Sequence, residues 1–272
     1  MRHVLVMNIG RKGLLFRVKD VYFSPAAANH APRTDMTRFY QCAEPFAGSE
    51  AFHTLHIDLR RDDEALFASF DRRTRAELRK TIEPGLYAVS QRENPTDAEM
   101  EAFAVFFDAF AREKGIGSCD RTLLANTRTS GRLMLSAAWP AADPDHICCM
   151  HAHSCDGLRT RAIYSCSGRL AGDGVLTAGQ VARANRLLHF EDMKYYRDRG
   201  VSCYDFGGLS LGDDPAAKGV DEFKMGFGGR IVDEYNGCLA HSARGRFLLA
   251  GMRARDRLRA QIGRRRRRRG GG

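Results

Sequence analysis

Apolar residues recur along this chain with two periods, near two in its opening stretches and near 3.6 in three later ones, and that switching predicts a mixed α/β order. Strand candidates come first: His3–Met7, Leu14–Val18, Arg38–Cys42 and Phe52–Leu59, separated by Gly, Pro and Asn clusters. Asp62 and Asp63 then open an amphipathic helix to about Glu83, with Leu66, Phe67, Phe70, Leu78 and Ile82 as its apolar stripe. Pro84 and Gly85 stop that helix, and Leu86–Ser90 reads as a strand. Thr96 caps a second helix, Asp97–Lys114, closed by Gly115; its Met100, Phe103, Phe106, Phe107 and Phe110 form a broad core-facing surface.

From Gly131 the pattern turns to strands at Leu133–Ala138, Ile147–Ser154 and Thr160–Ser165, with Asp156-Gly157 as a hairpin turn signal. A long helix runs from Thr177 through Arg199 and ends at Gly200. Ser202–Phe206 is the next strand, followed by a diglycine, a short helix and a last strand at Arg230–Leu239. The fold class is therefore α/β with a mixed sheet flanked by helices.

The late part of this pattern carries the candidate chemistry. A strand that ends in Gly207-Gly208 leaves backbone amides free and lets another molecule approach the main chain. Alternation points Asp205 away from Tyr204 and Phe206, either into a cleft as base or substrate anchor, or onto the following turn as a cap. Lys224 lies between Phe223 and Phe227 and before glycines, where an ammonium can meet a phosphate or a developing oxyanion. Asn185 and His189, four apart, share a helix face and can bond a substrate or the neighbouring strand. Arg75, Arg79 and Lys80 lie on one side of the first helix, as a nucleotide-binding or a solvated face.

Tyr204-Asp205-Phe206-Gly207-Gly208, then Phe223-Lys224-Met225-Gly226-Phe227-Gly228-Gly229, with Asn185-x-x-Leu188-His189 upstream and a basic helix at Arg72–Gly85, resembles the Fem-type aminoacyl transferases and their acyl-CoA-using relatives of the GNAT superfamily. The resemblance spans roughly residues 62–239. It implies a GNAT-like, centrally splayed sheet and transfer of an acyl or aminoacyl group to an amine or hydroxyl of a sugar-containing or cell-envelope precursor. Asp205 and Lys224 are then the expected catalytic residues, and Arg75, Arg79, Lys80, Asn185, His189, Tyr204, Gly207, Gly208, Phe223 and Phe227 the expected binding residues. The family's pyrophosphate loop falls on Ser167–Gly174, which departs from the usual pattern and carries Asp173, so the donor is acyl-CoA or, alternatively, aminoacyl-tRNA.

Composition narrows this picture. The 272 residues are 43% hydrophobic and 28% charged, with no apolar run long enough to span a bilayer and no signal-peptide pattern, so a cytoplasmic protein is expected. Three segments follow: a divergent β-rich start over 1–60, a transferase domain over 61–260, and an Arg-rich tail over 261–272. Arg264–Arg269 account for six units of the net charge of +10, and this run reads either as a peripheral contact for an anionic membrane or RNA or as a solvated tail. A nonenzymatic polyanion binder is the alternative function that this run supports. Eight cysteines without framework spacing read as reduced thiols. Cys149, His151, His153 and Cys155 alternate as zinc ligands in a metal-dependent hydrolase would, but on one strand they span about 20 Å, so no metal is expected.

Overall fold

Helix starts in this chain are written in side chains that accept from their own first turn. The computed structural model describes residues 5–7, 16–27, 34–168, 176–212 and 214–255. Thr96 and Glu99 form a reciprocal capping box on α3 (Asp97–Lys114), and Gly115 closes it in the left-handed region at φ 65°. Thr177 and Gln180 do the same for α5 (Ala178–Arg197).

The expected first helix is two. Ser69–Asp71 separates α1 (Asp63–Ala68) from α2 (Arg72–Ile82), because the Asp71 carboxylate accepts from Thr74 N and caps a new helix. The Asp71 amide is spent on the Gly226 carbonyl at 2.9 Å, so it cannot continue α1. Phe70 nevertheless keeps its core position, 1% exposed. Two helices had no sequence counterpart: α4 (Arg121–Thr129), capped by Asp120, and a helix over 243–255.

Residues 53–233 form one compact unit. Its strand order is β4 (Glu50–Asp58), β9 (Cys203–Gly208), β8 (Arg159–Ser167), β7 (Cys149–Cys155), β6 (Leu133–Pro140) and β5 (Tyr87–Glu93). All pairings are antiparallel except β8 with β9, which is parallel. That one parallel pair is short. It joins Arg159 to Cys203, Thr160 to Tyr204 and Arg161 to Asp205, and then stops, although β8 runs on to Ser167 and β9 to Gly208. Ala162, Ile163 and Tyr164, in the middle of the sheet, are only half-buried, and Gly208 is exposed. The sheet is splayed at this joint, as the sequence resemblance implies. A register shift between Ala152 and His153 on the other edge of β8 marks where the strand bends away from its neighbour.

Strand alternation sends two cores to opposite faces. Leu133, Leu135 and Ala152 meet Phe103, Phe107 and Ala111 of α3 and Leu124 of α4. Met134, Tyr204 and Phe206 meet Leu187, Phe190 and Met193 of α5 with Phe70 and Phe227. α6 (Pro215–Met225) follows β9 and returns the chain to β10 (Arg230–Ala240).

Residues 1–52 and 234–272 form the other unit. Here β1 (Leu5–Met7) pairs antiparallel with β2 (Val18–Tyr22), β2 parallel with β3 (Met36–Cys42), and β3 antiparallel with residues 235–240 of β10. The described second strand starts at Val18, where the expected Leu14–Val18 was to end; residues 14–15 lie outside the described residues, and Val21 shares a core with Phe39. The loop over 169–175 and the arginine run over 264–269 lie outside the described residues.

Two glycines at the end of the Phe-Lys motif are packing requirements. Gly228 and Gly229 sit at φ 73° and 84°, and an added Cβ would fall 2.4 Å from the carbonyl oxygens of Ser69 and His56 respectively. Gly85, at φ 60°, has nothing within 4 Å. Gly228→Ala is therefore expected to cost roughly 2–5 kcal/mol, from the left-handed backbone plus the overlap, and Gly85→Ala only about 1–2 kcal/mol. Urea unfolding of the two variants measures the difference; equal midpoints would contradict the close packing of Gly228 on Ser69.

Candidate active site

Asp205 is the last β9 residue paired to β8, and its side chain is fully buried. Oδ1 accepts from the Gly207 amide at 2.8 Å and lies beside the Thr54 hydroxyl, which is also 2.9 Å from the Gly207 carbonyl. Oδ2 accepts from Arg159 Nε at 3.0 Å and again from its Nη2. His56 Nε2 is 3.8 Å away. Burial by itself raises the carboxyl pKa, but Arg159, then His56 and Arg161, outweigh it and hold the group down at about 2. A carboxylate so tightly held is a poor proton acceptor at neutral pH. The geometry thus makes Asp205 a clamp on the strand end: alternation does turn it away from Tyr204 and Phe206, but into a paired, dry position and not into an open cleft. The Gly207 amide, expected to be free, is taken by that clamp.

Gly207 needs its left-handed φ of 73°, since a Cβ there would come within 3.1 Å of the Ala162 carbonyl. Beyond it Gly208 is exposed, and Lys224 Nζ donates to its carbonyl at 2.6 Å. Burial lowers the Lys224 pKa, with Asp221 and Asp205 pulling the other way. Asp221 is itself occupied by the Ser210 and Leu211 amides, at 3.1 and 2.9 Å, and so fixes the loop between β9 and α6. Arg159, Arg161 and Lys224 bring three cations to this strand end. Such a site suits an anionic group or a developing oxyanion. Phe223 is half-buried next to it, with the Arg186 guanidinium 4.9 Å above the ring.

On the opposite face of the sheet lies a buried polar network. His151 Nδ1 is 2.8 Å from Asp192 Oδ2, and its Nε2 is 2.9 Å from Asn185 Oδ1. Ser136 donates to the same Asp192 oxygen at 2.9 Å. The Tyr204 hydroxyl sits between His189 Nδ1, at 2.8 Å, and His153 Nε2, at 3.0 Å. His189 stacks on His151 with centroids 4.0 Å apart. His151, His153, Asp192 and Tyr204 are wholly buried, and His189 keeps 2% of its surface. Ligand atoms of His151, His153 and Asp192 lie within 4.8 Å of one another; His151 and Asp192 bond each other, Asn185 and Ser136, and His153 Nε2 bonds Tyr204, while His153 Nδ1 is buried without a partner. Cys149 and Cys155 take no part, and all eight cysteines are free thiols.

The expected site residues thus fall into three places. Asp205, Gly207, Gly208, Lys224 and Phe223 gather at the strand end. Asn185, His189 and Tyr204 are brought together inside the buried network, with Asn185 and His189 bonding other side chains. Phe227 is core, 0% exposed. Arg75, Arg79 and Lys80 are not brought to either place: Arg75 ties down the carbonyls of Ala68 and Phe70, Arg79 lies over Phe67, and Lys80 pairs with Glu77. Their side chains serve the α1–α2 corner and the helix surface, so no shared basic face forms.

Sequence reading missed Thr54, His56, Arg159 and Arg161. Two arginines flanking the buried Thr160 were the available signal. Asp192 was missed too, although it shares a helix face with His189 and Asn185.

No family model matches the chain, and no curated protein matches it. Among solved structures, FemX superposes with a TM-score of 0.60 at 12% identity, over 87% of this chain and 88% of that one. The chain has the FemX fold. The C-terminal domain of a putative lysylphosphatidylglycerol synthetase from Agrobacterium fabrum gives 0.49 at 13% identity, over 89% of this chain and 82% of that one. L-PGS from Bacillus licheniformis gives 0.47 at 13%, over 79% and 71%. The mixed, splayed sheet is thus an architecture shared with FemX, and no helix among the described residues is long and apolar enough to cross a membrane.

The network sets a pH dependence. Burial holds His153 neutral, its pKa lowered from 6.5 to about 4, with Asp192 opposing and His151 reinforcing the shift. Because the folded value lies below the unfolded one, the unfolded chain binds the proton first as pH falls. This contribution to stability is complete above pH 6.5 and lost as pH drops to about 4, on the order of 3 kcal/mol. Chemical unfolding across that window should show the loss, and His153→Gln, which keeps a bond toward Tyr204 but does not titrate, should lessen it, the remainder coming from the likewise depressed His189. An unchanged slope in that variant would contradict the neutral, buried imidazole.

Proposed function

We propose that this chain is an acyltransferase that moves an acetyl, longer acyl or aminoacyl group onto an amine or hydroxyl of a sugar-containing or cell-envelope precursor. The observation that carries the reading is the three-residue parallel pairing of β8 with β9, which ends beside an exposed Gly208 and the Lys224 ammonium. Two parting parallel strands offer backbone donors and acceptors to a thin, amide-bearing donor arm, as in an acyl-CoA. The FemX fold supports the same class of chemistry. Acyl-CoA is the favoured donor and aminoacyl-tRNA the alternative.

In the ternary complex the acceptor nitrogen, freed of its extra proton, attacks the acyl carbonyl carbon; a C–N bond forms and the carbonyl oxygen becomes negative. Lys224 has three N–H groups, of which one is given to the Gly208 carbonyl and two remain for that oxygen. As the intermediate collapses, the C–S or C–O bond breaks and the leaving group takes a proton from the attacking nitrogen. Holding both substrates in register supplies most of the acceleration, roughly 7–11 kcal/mol. No covalent intermediate on the protein is required.

Thermal-shift titration with acetyl-CoA, longer acyl-CoAs and aminoacyl-tRNA tests the reading. One donor class is expected to stabilise the fold, by about 2.7 kcal/mol at a hundred times its Kd. Lys224→Ala should then lower turnover by about 10²–10³-fold with an unchanged unfolding midpoint. Full activity in that variant, or no stabilisation by any donor, would overturn the proposal.

A further inference from the structure

Beyond β10 the chain turns at His241, whose amide donates to the Asp35 carbonyl at 2.8 Å, and enters the helix over 243–255. Ser242 caps that helix: its hydroxyl oxygen accepts from the Gly245 amide at 3.1 Å, and its proton goes to the Asp35 carboxylate at 2.6 Å. Gly245 packs flat on the neighbouring backbone, since a Cβ there would overlap the Asp35 carbonyl oxygen. The start of the helix is thereby fixed within its own unit, and with it the direction that each later side chain takes.

At 3.6 residues per turn the helix sorts into strips. Gly245, Leu248, Leu249 and Met252 share the inward side, Gly245 buried and the others half-buried. Directly opposite, Ala243, Phe247, Ala250, Gly251 and Ala254 are all exposed. Phe247 keeps 77% of its surface, the most of any large apolar side chain among the described residues. Arg246 and Arg253 run along one flank between these strips and Arg244 and Arg255 along the other, all four exposed. No acidic or amide side chain occurs between Ala243 and Arg255. An ordinary surface helix turns charged residues outward and apolar ones inward. This one turns apolar residues both ways and carries its charge on the two sides between.

We propose that the outward strip of this helix docks on an anionic lipid surface, with the helix axis in the headgroup plane. Phe247 enters the boundary between headgroups and acyl chains, and the small residues around it let the helix come close. The arginine stems run up both flanks and set their guanidiniums at the level of the lipid phosphates. Two other occupants would satisfy only half of this face. A single-stranded RNA would neutralise the arginines but find Phe247 as the one aromatic ring on which to stack. A second copy of the chain would cover Phe247 but, across a two-fold axis, would set the same arginines against each other. A lipid surface offers an apolar and an anionic layer in the order in which the helix presents them. The sequence that follows, over 256–272, holds eight arginines and one acid, and its charge favours the same surface.

Flotation of the full chain with vesicles of phosphatidylglycerol and phosphatidylcholine in equal parts, and with phosphatidylcholine vesicles, tests the contact without any turnover. The chain is expected to float with the anionic vesicles, to stay in solution with the neutral ones, and to leave the anionic ones as salt is raised. Phe247→Ser should weaken binding about 10–100-fold with an unchanged unfolding midpoint. Arg246→Gln and Arg253→Gln should each weaken it about fivefold. A full chain with Arg264–Arg269 all changed to glutamine separates helix from tail: it should still bind, more weakly, and still lose that binding on Phe247→Ser. Binding that vanishes in the tail variant and is unmoved by Phe247→Ser overturns the proposal. So does binding of a single-stranded RNA oligonucleotide with none to vesicles, or a Phe247-dependent dimer seen by light scattering in their absence.

Insertion has its own signal. Trp139 is the one native tryptophan and supplies a constant background. Phe247→Trp should therefore gain a blue-shifted fluorescence component on addition of the anionic vesicles, quenched by lipids brominated on the acyl chain. An unshifted, unquenched spectrum in a variant that floats with the vesicles overturns the docking of this face.

Discussion

The Asp205 carboxylate is the tie on which the site's geometry depends. It joins three strands at one point: its own β9, Arg159 of β8 and Thr54 of β4. Immediately after this tie the parallel ladder ends, so the clamp fixes where β8 and β9 part. A wholly buried ion pair contributes little net stability compared with an apolar pair of the same shape, but loss of one partner leaves an uncompensated charge that costs about 3–5 kcal/mol. The pair therefore serves position more than stability. It also settles the division of labour at the strand end, because a carboxylate committed to a guanidinium, a hydroxyl and an amide is not available to take a proton.

Alternation along β9 distributes the remaining tasks. Asp205 points to one face and Tyr204 and Phe206 to the other, where α5 covers them. Along β7 the same parity turns His151 and His153 toward α5, while Ala152 faces α3. A single helix face then supplies Asn185, His189 and Asp192, one turn or nearly two apart, so that strand and helix periodicities meet in one hydrogen-bonded cluster. At the strand terminus the chain turns back through a loop pinned by Asp221, and α6 sets Lys224 on the Gly208 carbonyl. Gly226, Gly228 and Gly229 let this segment approach α1, α2 and β4 closely, with Gly226 against Thr74 and Asp71.

Much of the fold was legible in the sequence because its signals were local. Thr96, Gly115 and Thr177 mark helix ends by their own side chains or backbone freedom, and each marks one here. The splayed sheet came from the resemblance carried by the glycine motifs, not from periodicity. What escaped was non-local. The break at Ser69–Asp71 depends on the Gly226 carbonyl, more than 150 residues away, and an apolar stripe that continues across the break hides it. Asp205 was visible as a residue with two opposite readings, cleft or cap, and only Arg159 on a neighbouring strand decides between them. The cluster Arg75, Arg79 and Lys80 looked like one basic face, yet each cation finds a local partner: two carbonyls, an aromatic ring and a carboxylate. Helical spacing alone does not reveal such partners.

The central claim is that the gap between β8 and β9 receives the acyl donor. Hydrogen–deuterium exchange by mass spectrometry, with and without bound acyl-CoA or aminoacyl-tRNA, tests it most directly. The account predicts slowed exchange at the amides of residues 162–167 and 206–208, the two strand ends beyond the last paired residues. Unchanged exchange there, with donor-dependent protection confined to other segments, would contradict it.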